Sequence, residues 1–403
     1  MRVYLIATLD TKGAEIALVR QRLAQLGVDT QLVDGGCLGQ PAVAADVARE
    51  QVFQAAGTTH QQVLQQGDRG EAVTLAAAGV ARIVAERHRQ GDVAGVLGIG
   101  GSAGSTIATA AMKALPLGVP KLMVSTLASG NVRGFVGDKD ILMLNSVVDI
   151  CGLNRISRTV LTEAAAAMAG MVQFRAPPAE QTDRPLVAAT MFGVTTPCVE
   201  RARWVLEQAG YEVLVFHATG TGGQAMESLV REGLIAGVLD ITTTELADEV
   251  VGGVLSAGPD RLTAAAETGT PQVVSVGATD MVNFHALATV PPRFADRNVY
   301  KHNENVTLMR TTPQENARIG ADLAAKVARS TGPAAILLPL RGVSAIDAPD
   351  KPFDDPAARD ALFTAIRAQS GSIEVVDHAG HINDPAFATA AAEKLLELMA
   401  RRR

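Results

Sequence analysis

The chain has 403 residues, 47% of them apolar but only 3% aromatic, with a formal charge of −6. That length predicts two domains, that composition predicts buried parallel strands and helices built from Ala, Val, Leu and Ile, and the acidic balance excludes a basic nucleic-acid surface beyond the short Arg401-Arg402-Arg403 tail. Three distant cysteines, Cys37, Cys151 and Cys198, predict reduced thiols rather than a zinc site, and the lack of any apolar run of 18 residues predicts a soluble, cytoplasmic protein that meets no membrane.

A strand is predicted at 3–8, a polar turn at 9–13, and then a helix whose apolar positions Ile16, Val19, Leu23 and Leu26 keep helical spacing until Gly27. A second strand, 30–33, ends in Asp34. An acidic residue there suits a dinucleotide-binding fold, but the 9–13 turn lacks the glycine fingerprint, so NAD is not expected. Residues 41–70 are polar and broken by Gly57, Gly67 and Gly70, an excursion that serves as spacer or lid. A helix at 71–89 leads into the strand 93–97, a glycine turn from Gly98 to Thr106, and a helix at 107–115. The turn carries so little side-chain bulk that backbone N–H groups at the helix start can approach an anion, and a phosphate fits best; the competing reading is a tight turn with glycines for close packing. The lysine and the spacing of a Walker loop are absent. A strand at 120–126 and another at 141–147 complete this half, the second preceded by Gly137-Asp138-Lys139-Asp140, whose aspartates hold a metal or cap a turn. Ligands bind beyond the carboxyl ends of parallel strands, so Asp10, Thr11, Lys12, Gly100, Gly101, Ser102, Gly104, Ser105, Thr106 and Thr126 are expected to line one crevice.

Residues 174–185, with Pro177, Pro178 and Pro185, read as a linker, which sets domains at 1–178 and 184–403. Beyond the linker the opening pattern returns: 188–190 matches 6–8, 206–210 matches 23–27, and 211–217 matches 28–34, by duplication or by convergence. The expected fold is α/β, two Rossmann-like doubly wound parallel-sheet domains with an interdomain cleft. In the second half His217, Thr219, Gly220, Thr221, Gly222 and Gly223 join a strand to a helix and present hydroxyls and N–H groups to an anion. A further buried strand ends in Asp240, Thr242, Thr243, Thr244 and Glu245, either a polar site or an N-cap. His217 and Asp240 are the expected acid/base pair, with Glu245 in support and with residues 219–223 and Thr243 binding substrate. The alternative is that Asp240 caps the turn and His217 bonds a backbone carbonyl. His285, His302, His378, His381, Asp280, Glu304, Asp347 and Asp384 lack metal-ligand spacing, and no metal site of protein ligands is assigned.

The segments Thr8-Leu-Asp-Thr-Lys12, Gly100-Gly-Ser-Ala-Gly-Ser-Thr106, Gly137-Asp-Lys-Asp140, Phe192-Gly-Val-Thr-Thr-Pro-Cys198, His217-Ala-Thr-Gly220, Leu239-Asp-Ile-Thr-Thr-Thr-Glu245, Ser256-Ala-Gly-Pro259 and residues 302–312 together resemble one little-characterised family of bacterial, fungal and plant proteins. That family is related to the ATP-binding N-terminal half of the tomato mosaic virus resistance protein, and the resemblance covers nearly the whole chain. It implies two Rossmann-like subdomains and ATP binding by the first, with the glycine turn as phosphate cradle; from the convergence of hydroxyls, Lys12 and a helix N-terminus on one sheet edge, the ATP is expected to bind there with Mg²⁺. Ala103 and Ser105 stand where the family turn has glycine. The expected function is an ATP-binding protein of small-molecule metabolism, an ATP-dependent enzyme acting on a small anionic metabolite in the cleft. The alternative is a nucleotide-responsive binding or regulatory protein without turnover. The expected partners are a small-molecule ligand and a second copy of the chain in a homo-oligomer, a dimer.

Overall fold

A computed structural model describes residues 1–175 and 184–401 of the chain. Most of the predicted linker thus lies outside the described residues. The chain divides into two compact units, Met1–Ala179 and Glu180–Arg403.

Unit 1 runs β1 (Arg2–Ala7), α1 (Leu9–Gln25), β2 (Thr30–Asp34), α2 (Arg49–Ala55), α3 (His60–Gln66), α4 (Arg69–Arg89), β3 (Val93–Gly100), α5 (Ser102–Lys113), β4 (Lys121–Ser125), α6 (Arg133–Val136), β5 (Leu142–Asn145) and α7 (Arg155–Gln173). Its five strands are parallel in the order β2-β1-β3-β4-β5. All eight residues of β3 are buried, as a central strand covered on both faces must be. Along β1 the faces alternate. Tyr4 and Ile6 pack with Val80, Ala108 and Met112 beneath α4 and α5, whereas Val3 and Leu5 pack with Ile16, Leu23 and Met168 beneath α1 and α7.

Two expectations change here. Residues 9–13 are not a loop: they wind into the start of α1, because the Thr8 carbonyl accepts the N–H groups of Thr11 and Lys12, and only Lys12 departs from helical backbone (φ −126°, ψ 19°). The polar excursion also contributes to the core, since Val52 and Phe53 of α2 are fully buried.

Unit 2 runs β6 (Leu186–Met191), α8 (Thr196–Gln208), β7 (Glu212–His217), α9 (Thr221–Arg231), β8 (Gly237–Thr242), α10 (Thr244–Val251), α11 (Ala264–Thr268), β9 (Gln272–Gly277), β10 (Met281–Phe284), β11 (Val299–Lys301), β12 (Thr307–Arg310), α12 (Pro313–Val327), β13 (Ala334–Pro339), α13 (Pro356–Gln369), β14 (Glu374–His378) and α14 (Pro385–Arg401). Six parallel strands lie in the order β14-β13-β9-β8-β6-β7. In both units the second strand lies outside the first and the third lies on its other side, after which the order continues outward. The similarity seen in the sequence therefore extends to the topology, and both units are Rossmann-like and doubly wound. The antiparallel sheet β10-β12-β11, inserted after β9, has no counterpart in unit 1 and is an element that sequence patterning does not predict. Among the described residues no helix is long and apolar enough to cross a membrane.

Each unit carries its own apolar clusters on both faces of its own sheet. Fragments 1–175 and 184–401, made separately, should therefore each show a single cooperative urea transition by circular dichroism. A fragment that melts without a transition would contradict this independence.

Candidate functional site

In unit 1 the strand order turns back between β1 and β3, so the loops leaving their carboxyl ends diverge at the place where open α/β sheets take ligands. A cavity of about 280 Å³ lies there, lined by Thr8, Asp10 and Thr11 after β1, Cys37 after β2, Arg69 of α4 and Ala103 of α5. The helix α5 starts at this cavity with Gly101 as its N-cap, and no side chain caps it, which leaves the N–H groups of its first turn free of side-chain partners.

The glycines of the turn divide between the two readings of the sequence. A Cβ on Gly101 would have only Thr126 Oγ1 within 4 Å, at 3.5 Å, so its backbone is open to approach. A Cβ on Gly100 would lie 2.8 Å from Gly104 Cα, and one on Gly104 3.0 Å from the Ile99 carbonyl, so those two glycines serve strand-to-helix packing. Ala103 and Ser105 lie within α5, where ordinary helical backbone suits them.

Of the other predicted residues, Asp10 and Thr11 line the cavity, and Ser102 opens α5. Asp10 Oδ2 accepts the Gly39 N–H at 3.0 Å, and the Thr8 and Thr11 hydroxyls are 2.8 Å apart. The rest have internal partners. The Lys12 ammonium donates to the Ile150 carbonyl, the Ser105 hydroxyl pairs with that of Ser125 at 2.7 Å in a buried contact, and the Thr106 hydroxyl donates back to the Ser102 carbonyl at 3.0 Å. Asp140 accepts from Lys121 Nζ at 2.6 Å and from the Gly118 N–H at 2.9 Å, the turn-bracing role rather than the metal-holding one.

The wall after β2 depends on a buried ion pair. Asp34 accepts the N–H groups of Leu9 at 3.2 Å and Gly36 at 2.8 Å through Oδ1, and Arg49 Nε at 2.7 Å through Oδ2. Arg49 also donates to the Gly39 carbonyl. Asp34, the residue a dinucleotide fold would turn towards a ribose, is thus committed to the protein itself. Burial, followed by Asp10, pushes the Cys37 thiol up to about 11 against the pull of Arg49, which makes it a weak nucleophile in the cavity wall.

In unit 2 two of the three predicted reacting groups, Asp240 and Glu245, are sealed. Asp240, fully buried, forms a two-pronged pair with Arg261 (Nη1 to Oδ2 2.5 Å, Nη2 to Oδ1 2.7 Å) and accepts the Thr190 hydroxyl at 2.7 Å. Glu245, also buried, accepts the Gly220 and Gly223 N–H groups at 2.7 and 3.1 Å and Arg261 Nε at 2.6 Å. Glu227 is a third carboxylate on Arg261, at 3.3 Å, and accepts the N–H groups of Leu262 and Ala264. Burial alone would lower Arg261, yet Asp240 and Glu245 hold it well above its ordinary value, so it stays charged.

The start of α9, expected to hold a substrate anion through Thr219, Gly220, Thr221, Gly222 and Gly223, therefore already faces an internal carboxylate. Thr219 Oγ1 donates to the His217 carbonyl at 3.2 Å, and a Cβ on Gly222 would collide with that same carbonyl. The threonine run is likewise internal: Thr242 Oγ1 meets Thr195 Oγ1 at 2.8 Å, Thr243 Oγ1 donates to the Ser275 carbonyl at 3.0 Å, and Thr244 Oγ1 accepts Asn283 Nδ2 at 3.2 Å. His217 is exposed at the end of β7 with its ring 5.4 Å from that of Phe192. Because β6 pairs with both β7 and β8, it separates His217 from Asp240 by two strand spacings, and the expected acid/base pair is not assembled. Among the described residues no group of three or more His, Cys, Asp or Glu side chains could hold a metal.

Sequence reasoning missed Arg49, Arg69 and Arg261. A signal existed for two of them: a carboxylate that ends a buried strand needs a cation, and Asp34 and Asp240 are answered by arginines 15 and 21 residues further on.

Two doubly wound α/β units whose strand orders follow one pattern, with an open cavity at the switch point of the first, define a two-domain Rossmann-like protein. The chain belongs to UPF0261: the N-terminal domain of this uncharacterised protein family matches residues 1–177 and its C-terminal domain matches residues 184–399. It is 46% identical over 400 residues to a UPF0261 protein of Clostridium tetani, covering 99% of each chain, and 49% identical over 396 residues to one of Rhizobium meliloti, covering 97% of each. It is also 44% identical over 339 residues to the ToMV resistance protein Tm-1(GCR237) of Solanum lycopersicum, a match that covers 82% of this chain and 45% of the tomato protein.

Replacing Arg261 by Met would leave three carboxylates facing one another in the core, at a cost of about 3–5 kcal/mol. The urea midpoint of unit 2 should fall accordingly, with Arg261→Lys between the two because it keeps the charge but not the fork; an Arg261→Met protein with the original midpoint would contradict the arrangement. Asp248 supplies a pH dependence. It accepts the N–H groups of Leu255 and Asn283, but burial raises its pKa from 3.8 to about 7. A raised carboxyl stabilises the fold fully below its unfolded value and loses that contribution as pH rises through the folded one. Unit 2 should thus resist urea better at pH 5.5 than at pH 8, and Asp248→Asn should flatten that slope.

Proposed function

We propose that unit 1 is a nucleotide-binding module that takes ATP with Mg²⁺ at the carboxyl edge between β1 and β3. The observation that carries this reading is the start of α5 at the switch-point cavity, uncapped by any side chain and open at Gly101. The residues present fit the group. The first-turn N–H groups of α5 would receive a phosphate, the Thr8 and Thr11 hydroxyls would supplement them, and Asp10 offers the carboxylate that Mg²⁺ uses beside phosphate oxygens. At about 280 Å³ the cavity is sized for phosphate groups rather than for a whole nucleotide. Adenosine as the carrier of those phosphates rests on the family resemblance.

Within this reading, binding or regulation without turnover is favoured by unit 2. Asp240 and Glu245 are sealed against Arg261, and His217 stands apart from both, so an ATP-dependent enzyme would need reacting groups other than these three.

The test is calorimetry with ATP and Mg²⁺ on the native protein and on Gly101→Val. The backbone at Gly101 (φ −85°, ψ −150°) and the open space around it should admit the side chain without unfolding, while the added bulk blocks the start of α5. ATP affinity should fall by roughly tenfold or more, the size of a lost charge-assisted hydrogen bond, with the thermal midpoint kept. Unchanged affinity would overturn the placement.

A further inference from the structure

The two units treat the outer edge of their second strand differently. In unit 1, β2 ends the sheet, and the chain that leaves it comes back to close that edge. The Leu32 carbonyl accepts the N–H groups of Asp46 and Val47 at 2.9 and 3.0 Å, the Leu32 N–H donates to Asp46 Oδ2 at 2.7 Å, and the Asp34 N–H donates to the Val47 carbonyl at 3.0 Å. In unit 2, β7 ends the sheet at the same place, but the chain passes directly into α9 and returns nothing to that edge.

The groups left over can be named. The N–H groups of Glu212 and Ala218 donate to the Pro185 and Met191 carbonyls, at 3.1 and 2.8 Å, on the β6 side. Alternation along the strand then turns the backbones of Leu214 and Phe216 to β6 and points the N–H and C=O of Val213 and Val215 outward. Among the described residues no hydrogen bond reaches those four groups. The run Val213-Leu214-Val215-Phe216 has none of the lysines, prolines or bulges that guard a free edge. The opposite edge of the same sheet, β14, is guarded: its Glu374 and Asp377 are held in ion pairs with Lys394 and Arg367 at 2.7 and 2.6 Å. Beside the bare edge Leu214, Phe216 and Leu229 of α9 are half-buried, so apolar surface accompanies the unpaired backbone.

The helix above this edge indicates what covers it. One flank of α8 faces α14, because Arg201 Nε donates to Thr389 Oγ1 at 3.2 Å. The other flank lies on the β7 side and carries Arg203 and Glu207, one turn apart and 2.6 Å from each other, both reached by solvent. A two-fold axis reverses the order of such a pair, so each charge meets its opposite in an identical neighbour.

We infer that β7 is an assembly edge occupied by a second copy of this chain, paired antiparallel about a two-fold axis at Leu214. Val213 exchanges both its hydrogen bonds with Val215 of the second copy, and Val215 with Val213 of the second copy, which consumes the free groups and joins the two six-stranded sheets into one. The register that sets Val213 opposite His217 is disfavoured, because the His217 carbonyl already accepts the Thr219 N–H and hydroxyl. The two α8 helices then stand roughly three strand spacings apart, ~14 Å, a gap that extended Arg and Glu side chains span. Arg203 faces Glu207 of the second copy, and Glu207 faces Arg203. This inference is independent of the nucleotide reading.

The experiment is sedimentation of the full-length protein across the micromolar range, for the native chain, Arg203→Glu, Glu207→Arg, the double exchange of the two, and Val215→Pro. The native protein should sediment as a dimer. Each single charge change sets like charges across the axis and should raise the dissociation constant roughly tenfold or more, whereas the double exchange should restore it. Val215→Pro removes an outward N–H that the chain itself does not use, and should give a monomer with its circular dichroism kept. The solvent-facing charge series decides the matter even if Val215→Pro unfolds. A native protein that stays monomeric throughout overturns the inference and leaves the edge to a different chain. A dimer that ignores the single charge changes, or a double exchange as weak as either one, overturns it as well.

Discussion

A buried arginine neutralised in place governs the carboxyl edge of each unit. Taking a guanidinium and its carboxylates out of water costs several kcal/mol per ion, and the arrangement holds only when nearly every lone pair and N–H of the group is matched. In unit 2 Arg261 meets Asp240, Glu245 and Glu227, and the remaining carboxylate positions are filled by N–H groups at Gly220, Gly223, Leu262 and Ala264. In unit 1 Arg49 meets Asp34, which also takes the N–H groups of Leu9 and Gly36. The ion pairs thereby fix where the helices after the strands begin. Charge, together with apolar packing, positions these edges, since Asp34 and Asp240 stand in the strands themselves.

The same topology is put to two uses. At the switch point of unit 1 the buried pair stands behind a cavity, and the start of α5 is left open. At the start of α9, after the second strand of unit 2, a carboxylate of the protein, Glu245, takes the N–H groups of Gly220 and Gly223, and nearby the Thr242 hydroxyl pairs with that of Thr195. Unit 1 leaves the start of α5 without a side-chain partner, whereas unit 2 closes the start of α9 with its own carboxylate.

The doubly wound architecture was legible because parallel strands buried on both faces read as apolar runs, and because Gly101 and Gly27 punctuate the helices as their physics requires. The segment after β3 was recognisable as a strand-to-helix turn for the same reason. Spatial order was not legible: Asp240 and His217 each end a strand, but nothing local to either residue says that β6 lies between them. Nor could spacing tell that Lys12 turns to Ile150, 138 residues away, since that contact exists only once the sheet has closed. The strands β10, β11 and β12 escaped because three or four residues carry too little alternation to mark a strand, whether exposed throughout, as Val299–Lys301 is, or buried throughout, as Met281–Phe284 and Thr307–Arg310 are. Arg49 and Arg69 were hidden in a polar stretch whose composition resembles a spacer.

The place of β1 in its sheet bears on how the protein is made. It is flanked by β2 and β3, and β3 begins only at Val93, after all of α2, α3 and α4 have been synthesised. On a ribosome adding about 5–20 residues per second, β1 and β2 emerge and pair while the other side of β1 has nothing to bond for several seconds. An unpaired apolar strand edge is a template for wrong partners, neighbouring nascent chains among them. For this architecture the interval between the second and third strands, more than the finished fold, is the stage at which the newly made chain exposes that edge to mispairing.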